Sequence, residues 1–178
     1  YETLLHERRR QLHAEIVTAM ERLYDDHLDD HLDRLAHHAF RGEVWDKAAT
    51  YQHRAGVRSL ATFAGREAVS YLEGALQSLS HLPDGPAVRQ QAIDIRLELR
   101  NALIPHGQHS EIFAHLREAQ RLAESLDDPQ RLGDWEPVMA RMAKELSALV
   151  PADSQSSVAK KPPPGARARA TPARSEAP

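Results

Sequence analysis

Apolar positions along the first 150 residues recur every three to four positions, the spacing of amphipathic helices. Seven helices are predicted on that pattern. The first runs from about Glu2 to Tyr24, with Leu5, Leu12, Ile16, Ala19, Met20 and Leu23 on one face. Asp25 and Asp26 supply the acidic start of a second, whose stripe is Leu28, Leu32, Leu35, Ala36 and Ala39 and whose stop is Gly42. The third starts near Val44 and carries two apolar faces. Trp45, Ala49, Gly56, Leu60 and Phe63 form one and Ala48, Tyr51 and Ala55 the other, which suits an interior helix touched from both sides. Gly65 ends it. Helix four spans Arg66 to about Ser80, and Pro83-Asp84-Gly85-Pro86 is a turn that no helix survives. Helix five carries Val88, Ala92, Ile95, Leu99, Ala102 and Leu103, and stops at Pro105-His106-Gly107. Helix six covers Ser110 to about Leu126 with Ile112, Leu116, Ala119, Ala123 and Leu126. After a polar turn through Asp127-Asp128-Pro129, the last runs from Asp134, its cap, to about Val150 on Trp135, Val138, Met142, Leu146 and Leu149. Pro137 is tolerated there because it falls in the first turn.

One phrase in this pattern occurs twice, 44 residues apart: Glu67-Ala68-x-x-x-Leu72-x-x-Ala75 and Glu111-Ile112-x-x-x-Leu116-x-x-Ala119. Apolar residues at i, i+4 and i+7 closed by alanine make a thin stripe that lets a neighbouring helix approach closely. A helix so lightly furnished cannot bury itself alone. Self-similarity at this period, built from helix pairs, is the signature of a tetratricopeptide-like alpha solenoid, whose core comes from stacked neighbours. The expected fold is therefore all-α, with antiparallel helix hairpins stacked as a short solenoid over residues 1–150 and sealed by Ala68, Leu72, Ala75, Ile112, Leu116 and Ala119. Such an architecture points to a binding scaffold.

Composition changes this picture only at the edges. Of 178 residues, 41% are hydrophobic and 5% aromatic, enough for one core and biased toward helix. The absence of cysteine excludes disulfides, thiol catalysis and cysteine-ligated zinc. No apolar run approaches the roughly 18 residues that cross a bilayer, and no signal peptide is visible, so a cytoplasmic location away from membranes is the default expectation. Tyr1 already lies inside a helical pattern, as expected for a piece of a longer reading frame. The net charge of −3 combines an acidic body with a basic tail, in which Lys160, Lys161, Arg167, Arg169 and Arg174 face only Asp153 and Glu176. Residues 151–178 hold six of the eleven prolines and no leucine or aromatic residue, so from about Asp153 disorder is expected.

Chemistry-bearing motifs are scarce. The sequence has no phosphate-cradling glycine loop and no Gly-x-Ser-x-Gly elbow, so neither an enzyme nor a cofactor is expected. His27, His31 and His38, among Asp26, Asp29, Asp30 and Asp33, would share a narrow arc of one helix, and histidines at i and i+4 can share a metal. Arg34 falls in that arc and would repel a cation, so these three read as boundary histidines packed between helices, with His37 solvated. Arg8-Arg9-Arg10, flanked by His6 and His13, reads as a solvated face or a contact to an upstream module. A nucleic-acid reader would extend its basic patch across a domain face, and this body is net acidic. The tail can attract nucleic acid by charge alone, without sequence specificity. Trp45 and Tyr51 are expected as core anchors.

Three phrases in order carry a resemblance: Leu5-x-Glu7-Arg8-Arg9-Arg10-x-Leu12-His13-x-x-Ile16, then Leu35-Ala36-His37-His38-Ala39-x-x-Gly42, then Trp45-x-Lys47-Ala48-x-x-Tyr51-x-x-x-Ala55-Gly56. Together they resemble the helical region that follows the AAA-type ATPase module in large bacterial class III adenylate/guanylate cyclases and in ATPase-containing transcriptional regulators. The resemblance spans roughly Tyr1 to Gly133 and fades there, at a genuine terminus or a shifted frame. It implies a non-catalytic regulatory scaffold of a multidomain signalling protein, with a protein or peptide partner and an upstream ATPase module as neighbour. The alternative is the effector region of a transcriptional regulator.

Overall fold

In the computed structural model the chain is described over residues 2–126, together with Ala140 and Lys144. It divides into two compact units, Tyr1–Met139 and Ala140–Pro178. Of the second, Ala140 and Lys144 are helical and exposed; they fall within the span predicted for the last helix. The remainder of that helix, the Asp127-Asp128-Pro129 turn and the tail lie outside the described residues.

The described part of the first unit is helical, with no strand among its residues. Its elements are α1 (Glu2–Leu23), a 3-10 segment (Asp25–His31), α2 (Leu32–Arg41), α3 (Trp45–Ala61), α4 (Gly65–Leu79), α5 (Pro86–Leu103), a short 3-10 turn (Ile104–His106) and α6 (His109–Glu124). Each α-helix packs on its neighbours in sequence, most extensively α3 on α4, and α3 also touches α5.

The joints explain where the helices stop. Glu43 ends the α2 joint at φ 55° and Phe63 the α3 joint at φ 60°, both left-handed. The residue after each reaches back to the helix: Val44 N–H donates to Ala39 O at 3.0 Å and Ala64 N–H to Ser59 O at 2.9 Å. Those bonds satisfy carbonyls a helix end leaves open. Gly107, at φ 67°, precedes α6 in the same way, and it stands 44 residues after Phe63. Pro86 opens α5 as first-turn prolines do, and Arg89 holds the preceding turn through Asp84 at 2.8 and 2.5 Å.

Apolar clusters among the described residues follow. Val17 and Met20 of α1 meet Leu32, Leu35, Ala36 and Ala39 of α2 and Ala48, Tyr51 and Ala55 of α3. Ala49 of α3 meets Leu72, Ala75 and Leu79 of α4 and Ile95 and Leu99 of α5. Ile93 of α5 meets Ala119 and Ala123 of α6. One polar pair lies inside: Ser78 Oγ donates to Gln52 Oε1 at 2.7 Å, and a side chain at Gly74 would strike that glutamine.

Several expectations are corrected. Leu5, Leu12 and Leu23, predicted to face the core, are exposed by 61%, 55% and 73%, while Val17 is buried. At 100° per residue the leucines lie roughly a quarter turn from the buried Val17–Met20 face, so α1 carries two apolar arcs and buries the one its neighbours reach. The second helix does not start at Asp26; the chain runs as a 3-10 segment until Leu32, broken at His27, whose φ of −138° is not helical. Gly65 opens α4 instead of closing α3, and Phe63 has left the predicted face entirely, being 97% exposed. Tyr51 is buried, but Trp45 is only half-buried, stacked on the His81 ring at 4.0 Å.

Candidate functional site

The first half of α1 meets the end of α2 across a polar seam. Gly42 is buried there because α1 passes too close for any side chain: a Cβ would lie 2.7 Å from the Ala14 backbone nitrogen. Next to this contact His13 and His38 face each other with their Nδ1 atoms 2.8 Å apart. One of the two must carry the hydrogen, so the pair cannot be fully protonated and keep its bond. Burial lowers the affinity of His13 for a proton, and His37, Arg41 and Arg9 lower it further. His38 is lowered by burial first, then by His13, His37 and Arg34.

Above this pair opens a cleft of about 310 Å³. Arg9, Arg10 and His13 from α1 line it, with His37 and Arg41 from α2 and Glu43 from the joint. Arg10 is occupied: its guanidinium donates to Glu7 at 2.6 Å and to Glu43 at 3.0 Å, which raises its proton affinity. Arg9 and Arg41 have no ion pair or side-chain hydrogen bond among the described residues. At the end of α2, His38, Ala39 and Phe40 O accept from Gly42, Val44 and Glu43 N–H respectively. The Arg8-Arg9-Arg10 run is thus split. Arg8 is exposed outside the cleft, Arg9 lines it unpaired, and Arg10 is neutralised.

The metal candidates are not brought together. His31 stacks on Tyr24 with centroids 3.8 Å apart, His38 is bonded to His13, and the break at His27 removes the helical register that would have aligned them. Neighbouring acids are taken by α3: Asp29 pairs with Arg54 at 2.5 Å and accepts from Arg58 through its carbonyl, and Asp33 pairs with Arg58 at 2.7 Å and accepts from Tyr71 at 3.1 Å. No group of three or more histidine and carboxylate side chains is placed to hold a metal among the described residues. His37, expected in solvent, is exposed yet borders the cleft, its ring 5.3 Å from that of His38 and 6.0 Å from that of His13.

The six repeat positions are all buried, none exposed by more than 2%. Two polar groups had no signal in the sequence. Glu21 on α1 accepts from Lys47 at 2.6 Å and from Tyr51 at 2.5 Å. Burial pushes the Glu21 carboxyl up, but these two donors hold it below its ordinary value, while burial and Glu21 push Tyr51 up. Between α5 and α6, Arg96 meets His115 at 3.2 Å, and both are lowered first by burial. Among the described residues no helix is long and apolar enough to cross a membrane. No protein-family model, curated protein or solved structure matches the chain.

Proposed function

We propose that this chain is a non-catalytic regulatory scaffold, built of antiparallel helix pairs stacked as a short tetratricopeptide-like solenoid. It holds a protein or peptide segment and relays that state to an attached catalytic module, in the manner implied by its resemblance to the helical region of ATPase-containing cyclases. The observation that carries this reading is the matched burial of the two copies of one phrase. Ala68, Leu72 and Ala75 on α4, and Ile112, Leu116 and Ala119 on α6, occupy equivalent positions 44 residues apart, and each copy follows a left-handed joint, Phe63 or Gly107. Equivalent sequence, joint and burial are what a repeated structural unit requires.

The neighbouring module is assigned to α1, whose Leu5, Leu12 and Leu23 are exposed on the arc that α2 does not cover. Arg10 is held by carboxylates, so Arg8 and Arg9 are the arginines of the run left for a polar contact there. The test is thermal melting of the chain alone and with the ATPase module of a similar cyclase, fused or in trans. A partner that binds only the folded state raises the melting temperature by mass action. Stabilisation that disappears in the Leu5→Ser/Leu12→Ser variant is the expected result; none in either format ends the packed-neighbour reading.

A further inference from the structure

The cleft between α1 and α2 holds two cationic side chains that make no ion pair among the described residues, because the carboxylates that also line it, Glu7 and Glu43, are engaged by Arg10. Arg9 comes from α1 and Arg41 from the last turn of α2, and both lie close enough to His13 to weaken its hold on a proton. Like charges gathered at one point raise the energy of the empty cleft, and an anion seated between them removes that cost. Two arginine forks and the ring N–H groups of His13 and His37 offer more donors than a carboxylate can accept, whereas the three terminal oxygens of a phosphomonoester can use them. The volume, about 310 Å³, sits at the small end of ligand clefts and suits a phosphorylated group better than a whole cofactor.

The geometry points to a phosphomonoester-binding site between α1 and α2, in which Arg9 and Arg41 clamp the phosphate and His13 and His37 supply further donors. Glu43 and Glu7 keep Arg10 out of the clamp, so they set the affinity by competing with the ligand. The site shares Arg9 with the module contact proposed for α1 but not its leucine arc, so Leu5→Ser/Leu12→Ser tests that reading without touching the cleft. It also strengthens as pH falls. The groups that weaken the pair's hold on protons come from α1 (Arg9) and from α2 (Arg34, His37 and Arg41), the carboxylates of the same cleft, Glu7 and Glu43, are held by Arg10, and a bound phosphate opposes that weakening.

The experiment is an NMR titration of the histidine ring resonances of the full chain, assigned by single His13→Gln, His37→Gln and His38→Gln variants. Inorganic phosphate is added first, against sodium chloride at equal ionic strength. Phosphate is expected to move the titration midpoint of His13 upward by about one pH unit, as a bound opposite charge does, and to shift the ring resonances of His37, and chloride is not. The exposed Arg9→Ala/Arg41→Ala pair leaves the core untouched and should weaken binding at least tenfold, about one charge-assisted hydrogen bond. Glu43→Gln should tighten it about threefold. A phosphoserine peptide and a sugar phosphate distinguish the source of the group; tighter binding of either supports the site and names its ligand. Shifts equal to those in chloride overturn the proposal, as does binding unchanged by the arginine pair, which assigns it to the basic tail. So does equal binding of the peptide with glutamate in place of phosphoserine.

Discussion

The contact between α3 and α4 and the contact between α1 and α2 are assembled by opposite means. Between α3 and α4, Gly56 lets Leu72 approach so closely that a Cβ would lie 2.7 Å from its side chain, and Ala49, Ala68 and Ala75 are fully buried. Inside that contact Ser78 Oγ and Gln52 Oε1 satisfy each other. Between α1 and α2 an equally close approach at Gly42 is flanked by the His13–His38 pair and by Arg10 with two carboxylates, and the exposed cations Arg9 and Arg41 stand beside it. Dry small-residue contact is energetically rigid, because closely packed interiors tolerate little change in volume. A contact made of titratable and charged groups changes strength with pH, salt and bound ions. The first kind is insensitive to pH and salt, and the second responds to them.

Ala75→Arg breaks the dry side of the comparison with the largest effect. It forces a long charged side chain into a position with 0% exposure, and should lower stability by about 3 kcal/mol or more through overpacking and an unpaired charge. Denaturant melts check it. A midpoint equal to that of the parent would remove Ala75 from the helix contact.

Gly42→Ala tests the close approach on the polar side. Its φ of −84° accepts alanine, so the cost comes wholly from pushing the α1 backbone away and should be about 2 kcal/mol. The displacement should also loosen the His13–His38 bond, visible as altered ring chemical shifts. Unchanged shifts would separate the two features.

Phe63→Gly should act in the opposite direction. Phe63 is left-handed and 97% exposed, so glycine relieves backbone strain without losing packing and should stabilise by about 0.5–1 kcal/mol net of its entropy. At the equivalent joint, Gly107→Phe should destabilise by a similar amount. Equal responses of opposite sign sharpen the equivalence of the joints, and a loss at Phe63 would break it.

The smallest effect is the response to acid. His13 and His38 bind protons less readily in the folded chain than at their ordinary value near 6.5. The unfolded chain therefore takes up more protons, stability rises with pH across that window, and it is lost as pH falls from about 6.5 toward the lowered folded values. His53 and His115 are lowered as well, chiefly by burial, and add to the same slope. Denaturant midpoints between pH 7.5 and pH 5 should decline, and the decline should be shallower in His38→Gln. An identical slope in that variant would assign the response to the other two.

Much of the helical layout is legible in the order of residues alone. The stops at Gly42, Pro83-Asp84-Gly85-Pro86 and Gly107, and the repeat positions on α4 and α6, follow from backbone chemistry and 3.6-residue periodicity, which act locally. The joint at Phe63 is not legible there, because a bulky aromatic at helical spacing reads as a core residue and nothing local marks it as left-handed. The cleft is legible only in pieces. Arg8-Arg9-Arg10 and His37-His38 stand out as runs, but which of their members meet depends on how α1 is rotated against α2.

By itself the sequence determined most helix spans over the described residues, though not the 3-10 segment Asp25–His31, and that these residues are built of helices without strands. Tertiary structure alone decided which of the two apolar arcs of α1 is buried, that His38 finds His13 and not His27 or His31, and that Arg9 and Arg41 share one cleft while Arg10 is neutralised. The physical reason is one of range. Periodicity and turn chemistry are set by neighbours along the chain, whereas burial of one arc over another and the pairing of charges are settled by residues tens of positions away.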